Sequence, residues 1–342
     1  MIRRTAALAF AGAALAVIGA GPALACGGMV SPDGATELAR FETLLVHDGA
    51  TQQILTSVAY ETSREYGSGT EADEGFAWLM PLPSPPEVGA GDAAAIRSAR
   101  SMTAPPPRDE HVPPVMPLLC ACGAADQGPG ATGVDVLGRT VVEGLEFVTL
   151  GGERAGEMAA WMREEGFTFH DRQEPVLQGY LDRGWVVVAA RILPGAEPTG
   201  ELTTVRFRFD TAEPVYPLAI AGADHGGPPV RMSLYVATPY RPESATLPQT
   251  VVRPDDYADF PQPSDELQLR YSAPLEGYRA GILEGATDLP DGAWLSWYEA
   301  SFDPETLDQD LRLDRATDQE AVDYEPLLAA YASARRWAYV GR

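Results

Sequence analysis

Two amino acids are missing altogether. Lysine and asparagine do not occur in the 342 residues, and every basic side chain other than histidine is an arginine. Their absence excludes Schiff-base chemistry on a lysine amine and N-glycosylation at Asn-x-Ser/Thr. A GC-rich genome, which disfavours the codons of both, accounts for it without an adaptive explanation. Cysteine is scarce at three residues and histidine at four. There is no G-x-S-x-G elbow, no H-E-x-x-H pair and no P-loop. Positive charge is short as well: the formal net charge is −24. Such a chain repels nucleic acid and anionic lipid surfaces, so nucleic acid is excluded as a partner.

Long apolar runs are confined to the start. Arg3 and Arg4 give a basic beginning, Thr5 to Ala20 is Ala-rich and apolar, and Ala23-Leu24-Ala25 is an A-x-A cleavage triplet. This three-part pattern predicts a secretory signal peptide over 1–25 and an extracytoplasmic region over 26–342, periplasmic or secreted. The apolar run falls short of the roughly 20 residues that a membrane span needs, and Gly21-Pro22 interrupts it. No later stretch is longer than strand-sized, the best being Trp185 to Arg191. The mature chain is expected to lack a transmembrane helix, and it is long enough to bury a core without disulfide staples.

The cysteines are Cys26, Cys120 and Cys122, all in the exported part and all disulfide candidates. Pairing of Cys26 with the Cys120-Ala121-Cys122 loop is the first reading. A lipid anchor on Cys26, which makes a membrane-anchored lipoprotein, is the second, because Ala23 and Leu24 suit ordinary signal peptidase better than lipoprotein processing. His111, Met116, Cys120 and Cys122 lie close enough in sequence to raise a soft-metal site. No C-x-x-C or His-x-x-x-His spacing accompanies them, so the reading is no metal and no cofactor.

Periodicity gives the fold class. Phe41 to His47, Gln53 to Tyr60 and Gly75 to Met80 read as strands, the first two joined by an Asp48-Gly49 hairpin signal. A short helix is predicted over Asp92 to Met102 with Asp92 as N-cap. Residues 104–133, dense in Pro and Gly, read as an irregular loop dividing the mature chain into two candidate β-rich subdomains. Strand character resumes over Val134 to Leu150. Helices are predicted over Glu153 to Glu165, with Met158, Trp161 and Met162 on one face and Gly166 behind it, and over Glu174 to Arg183 with Pro175 at its start. Strands follow at Trp185 to Leu193, Leu202 to Phe209, Val215 to Ala221, Met232 to Thr238 and Trp294 to Tyr298, and a terminal helix at Ala321 to Trp337. The result is an α+β chain of mainly antiparallel strands, in sandwich-like or meander sheets, with a few packed helices.

These blocks carry a resemblance. Cys26-Gly27-Gly28 after a signal peptide, "GFAWLMPLPSPPEV" (Gly75 to Val88), "WMREEGF" (Trp161 to Phe167), "VLQGYLDRGWVVVAARI" (Val176 to Ile192) and "VYPLAIAG" (Val215 to Gly222) resemble the exported bacterial proteins grouped as domain of unknown function 2330. The resemblance covers nearly all of the mature chain and implies identity without mechanism. Some members carry a membrane helix near the C-terminus; "RRWAYVGR" here is not apolar enough for one.

Candidate site residues are few. His170-Asp171 and Asp224-His225 each set an imidazole beside a carboxylate, the pairing that positions a general base. Sequence neighbours seldom face each other, and the bland reading of both is polar loop. Ser68 in Tyr66-Gly67-Ser68-Gly69 reads as an exposed turn. Asp308, Asp310, Asp314 and Asp318 follow a calcium loop only loosely and read as acidic surface. No catalytic residue is assigned. An extracytoplasmic binding or structural module is the first functional reading. An extracytoplasmic enzyme, a hydrolase or redox protein with a site assembled from distant residues, is the alternative.

Overall fold

The computed structural model describes residues 28–30, 36–62, 77–105, 133–167, 169–193, 203–223, 229–253, 262–284 and 287–324. In chain order these form β1 (Gly28–Val30), β2 (Thr36–His47), β3 (Thr51–Thr62), β4 (Ala77–Leu82), β5 (Glu87–Ala90), α1 (Ala93–Thr103), β6 (Asp135–Val142), β7 (Leu145–Gly151) and α2 (Ala155–Glu164). They continue with α3 (Glu174–Leu181), β8 (Val186–Ile192), β9 (Thr203–Asp210), β10 (Val215–Tyr216), α4 (Ala219–Gly222), β11 (Val230–Thr238), β12 (Pro242–Ser244), β13 (Gln249–Val251), β14 (Leu267–Pro274), α5 (Tyr278–Glu284), β15 (Trp294–Phe302) and β16 (Leu311–Arg315).

Local chemistry sets the joints. Asp48 closes the β2–β3 hairpin by accepting from the backbone N–H of Ala50 at 2.9 Å and of Thr51 at 2.8 Å, which fixes the register of the pair. The Asp92 carboxylate caps α1 by accepting from Ala94 N at 2.7 Å, as expected of an acidic N-cap. Both features were legible as sequence signals.

Two sheets face each other. One has eight strands in the order β13-β14-β15-β11-β2-β3-β9-β5, antiparallel except for β2 beside β11 and β13 beside β14. The other has five antiparallel strands, β1-β4-β8-β7-β6. Leu45, Ile54, Phe207, Leu234 and Val236 of the first meet Trp78, Met80, Phe147 and Val188 of the second in one core. Trp78, Phe147 and Phe207 pack edge to face there, with centroids 5.6 to 6.1 Å apart, an arrangement worth about 1 kcal/mol per pair beyond area burial. Because strand side chains alternate, Leu44, Val46 and Tyr235 point to the opposite face and pack under α1 and α5. Leu79, Val148 and Val187 do the same under α2 and α3, against Met158, Trp161, Met162 and Leu177. The layers run helix, sheet, sheet, helix, an α+β architecture. A small sheet, β10-β16-β12, adds Tyr216, Leu311 and Leu313 to the shared core.

Three expectations need correction. The strand over Val215 to Ala221 stops at Tyr216, and Ala219 to Gly222 is helical; Pro217 has no N–H to continue a ladder. The terminal helix does not begin at Ala321: Val322 bridges Ser272 in extended conformation, each N–H donating to the other's carbonyl at 2.7 Å. The rest of that segment lies outside the described residues. Asp310 is buried rather than part of an acidic surface, while Asp308, Asp314 and Asp318 are exposed.

Candidate binding cleft

Two helix ends are built alike. Gly166 and Gly184 take φ +81° and +75°, the left-handed conformation in which glycine escapes the Cβ penalty. After α3, Gly184 N donates to Leu181 O at 2.8 Å and Trp185 N to Tyr180 O at 3.1 Å. This is a Schellman closure, which brings the residue after the glycine back over the last helical turn. Trp185 therefore lies on Tyr180, centroids 5.2 Å apart. The guanidinium of Arg183, between them in sequence, sits 4.6 Å from the centroid of each ring, close enough for cation–π attraction to both.

Opposite this turn stands Asp310, just before β16. Its Oδ1 accepts from the Tyr180 hydroxyl and from the backbone N–H of Leu218 and Ala219, both at 3.1 Å. Its Oδ2 accepts from Arg183 Nη2 at 3.2 Å. The carboxylate side chain is 4% exposed and Arg183 51%, so the anion is sequestered while the cation it anchors stays open to solvent. Burial, followed by the nearby Asp310 charge, pushes the Tyr180 phenol well above its ordinary range. Tyr180 is thus held as a neutral hydrogen-bond donor.

Gly222 allows the two walls to approach. A Cβ on it would lie 1.8 Å from the carbonyl oxygen of Leu307, so only glycine lets α4 lie against the turn at 304–307. That contact places the Leu218 and Ala219 amides at Asp310. Between the walls is a cleft of about 550 Å³, lined by Pro175, Val176 and Gly179 of α3, by Arg183 and Trp185, and by Thr246, Glu305, Leu307 and Asp308 among others. A second hollow of about 400 Å³ lies on the far sheet, beside the Glu42–Arg100 pair (2.7 Å) and the stacked rings of Tyr235 and Trp297.

The residues singled out in the sequence fall elsewhere. His170 caps the 3-10 turn at Asp171–Gln173: its ring accepts from the Gln173 backbone, and the Gln173 side chain accepts from His170 N at 3.1 Å. Asp171 is exposed and pairs with Arg163 at 2.5 Å. The imidazole and the carboxylate of this dyad have separate partners. Asp224, His225, Cys26, Cys120, Cys122, Ser68, His111 and Met116 lie outside the described residues. Among the described residues no group of His, Cys, Asp and Glu is placed to hold a metal ion, and no helix is long and apolar enough to cross a membrane.

A family model described as an uncharacterized protein conserved in bacteria (DUF2330) matches residues 20–285. The chain belongs to this family. The DUF2330 match includes α3, the Gly184 turn, Trp185 and Gly222, and ends before Asp310. No curated protein matches the chain. Among solved structures, the crystal structure of baculovirus P35 is similar over 84% of this DUF2330 chain and 99% of its own length, at TM-score 0.37 and 7% identity.

Proposed function

We propose that this DUF2330 protein is an exported binding module whose ligand contact is the cleft between α3 and the Gly222–Leu307 wall. Export rests on the signal-peptide pattern of residues 1–25. The observation that carries the binding reading is Gly179. It lies inside α3, where glycine costs about 1 kcal/mol relative to alanine. It has no positive φ, and a Cβ there would meet nothing within 4 Å. Neither backbone geometry nor packing calls for glycine. What a larger side chain would take up is the cleft itself, so the helix gives up stability to keep that space open.

The neighbouring groups support binding over proton transfer. Tyr180 is held in its neutral, protonated form, and Asp310 is saturated by four donors. Groups fixed in this way position one another. The test is a thermal-shift panel of sugars, amino acids, short peptides and organic acids against the mature protein and its Gly179→Leu variant. The reading expects at least one class of compound to raise the Tm of the wild type and to leave the variant unmoved. Identical responses of the two proteins across the panel would refute it.

A further inference from the structure

Building on that reading, we infer that the cleft takes a monocarboxylate on an apolar body, its carboxylate on Arg183 and its body across Gly179 against Val176 and Trp185. Arg183 is the observation. Asp310 engages only Nη2, and among the described residues Nε and Nη1 make no hydrogen bond. A guanidinium carries five N–H donors in a rigid planar fork, which suits the two oxygens of a carboxylate. Here that fork is immobilised on one edge by a buried carboxylate and against both Tyr180 and Trp185, so little side-chain entropy remains to be lost on binding.

Charge selects the ligand further. Both arginines lining the cleft pair through one Nη2, Arg183 with Asp310 and Arg312 with Glu213, and among the described residues Arg183 is the one of the two also held against aromatic rings. Glu305 and Asp308 line the same cleft and are exposed, and the whole chain is strongly acidic. A dianion such as a phosphate monoester meets about twice the repulsion that a single carboxylate does. Part of the lining is apolar: Pro175, Val176, Trp185, Ala219 and Leu307, over the open floor at Gly179. An aliphatic or aromatic body fits there.

The test is calorimetric titration of the mature protein with 3-phenylpropionate and with its neutral amide, 3-phenylpropionamide, repeated on Arg183→Gln and Gly179→Leu. Circular dichroism of both variants confirms that they are folded. A charge-assisted hydrogen bond contributes about 1.5–3 kcal/mol, so the acid is expected to bind the wild type about tenfold or more tighter than the amide. That difference should vanish in Arg183→Gln, and both compounds should lose binding in Gly179→Leu. Equal binding of acid and amide overturns the carboxylate assignment while leaving the cleft as a binding site. Failure of the acid to bind the wild type overturns the assignment too. The broader reading fails separately, when Gly179→Leu responds to the panel as the wild type does.

Discussion

Tyr180 donates its phenolic hydrogen to Asp310, 130 residues away in the chain. Asp310 in turn holds the Leu218 and Ala219 amides, so one buried carboxylate ties α3, α4 and the approach to β16 together. Asp310→Ala leaves a buried hydroxyl and two amides without an acceptor, at about 1–3 kcal/mol each before relaxation. We expect a net loss of about 3 kcal/mol in urea unfolding. Tyr180→Phe removes one donor of four and should cost about 1 kcal/mol. Equal, small effects of the two would mean that Asp310 is not the hub.

Alkaline pH should expose the buried tyrosines. Burial raises the phenols of Tyr180 and Tyr298 and pushes Tyr235 up to about 12. A folded value above the unfolded one, about 10, means that the fold favours the protonated form. Stability is then full below about pH 10 and is lost as pH rises toward the folded values, at about 1.4 kcal/mol per pH unit for each such tyrosine. Urea midpoints should be flat on this account below pH 9.5 or so and fall steeply above about pH 10. Tyrosine absorbance should show a late fraction that ionises only on unfolding.

Two glycines should resist alanine for different reasons. At Gly222 the new methyl group meets a backbone carbonyl, and overpacking of this kind costs about 1–3 kcal/mol or more. At Gly184 there is open space but φ is +75°, so the cost is backbone strain of about 1 kcal/mol. Gly184→Ala should also shift Trp185 fluorescence, since the Schellman turn holds that ring on Tyr180. Gly179→Ala should be neutral or stabilising by up to about 1 kcal/mol. Calorimetric melting of the three variants separates these cases.

Much of the fold was legible and the cleft only in part. Leu202 to Phe209 alternates, and in β9 Val205, Phe207 and Phe209 are buried while Arg208 is exposed. Gly166 announced a helix end through its flanking pattern. β14 gave no such signal, because its polar residues are buried too: Gln268 bonds Ser264, Arg270 pairs with Glu299 at 2.6 Å, and Ser272 bonds Ser296. For Arg270 and Ser272 the partners that make burial tolerable are distant in sequence and invisible locally. Asp310 was misread for the same reason. In "DQDLRLDR" it looks like its exposed neighbours, and only the Leu311/Leu313 alternation hints that a buried strand begins there.

Glu146 offers an independent check of the five-stranded sheet. Its buried carboxylate joins Arg139 at 2.7 Å and Arg191 at 2.6 Å. Removing it takes the buried carboxylate from two partly buried cations and leaves each a contact to Glu165, and breaking a buried pair outright costs about 3–5 kcal/mol. Glu146→Ala should therefore destabilise by about 3 kcal/mol once partial exposure of the arginines is discounted, with Glu146→Gln milder. A loss below about 1 kcal/mol in urea unfolding would place it among ordinary surface pairs.

Arg183 is a fixed, open cation. Selective ¹⁵N labelling of arginine, with Arg183 assigned through Arg183→Gln, measures it directly. Wedged against Tyr180 and Trp185 and tied to Asp310 through Nη2, its Nε–H is expected at a ring-current-shifted position and its Nη2 protons are expected to exchange slowly. Resonances at the position and exchange rate of freely solvated arginines would show that Arg183 is not held in the cleft.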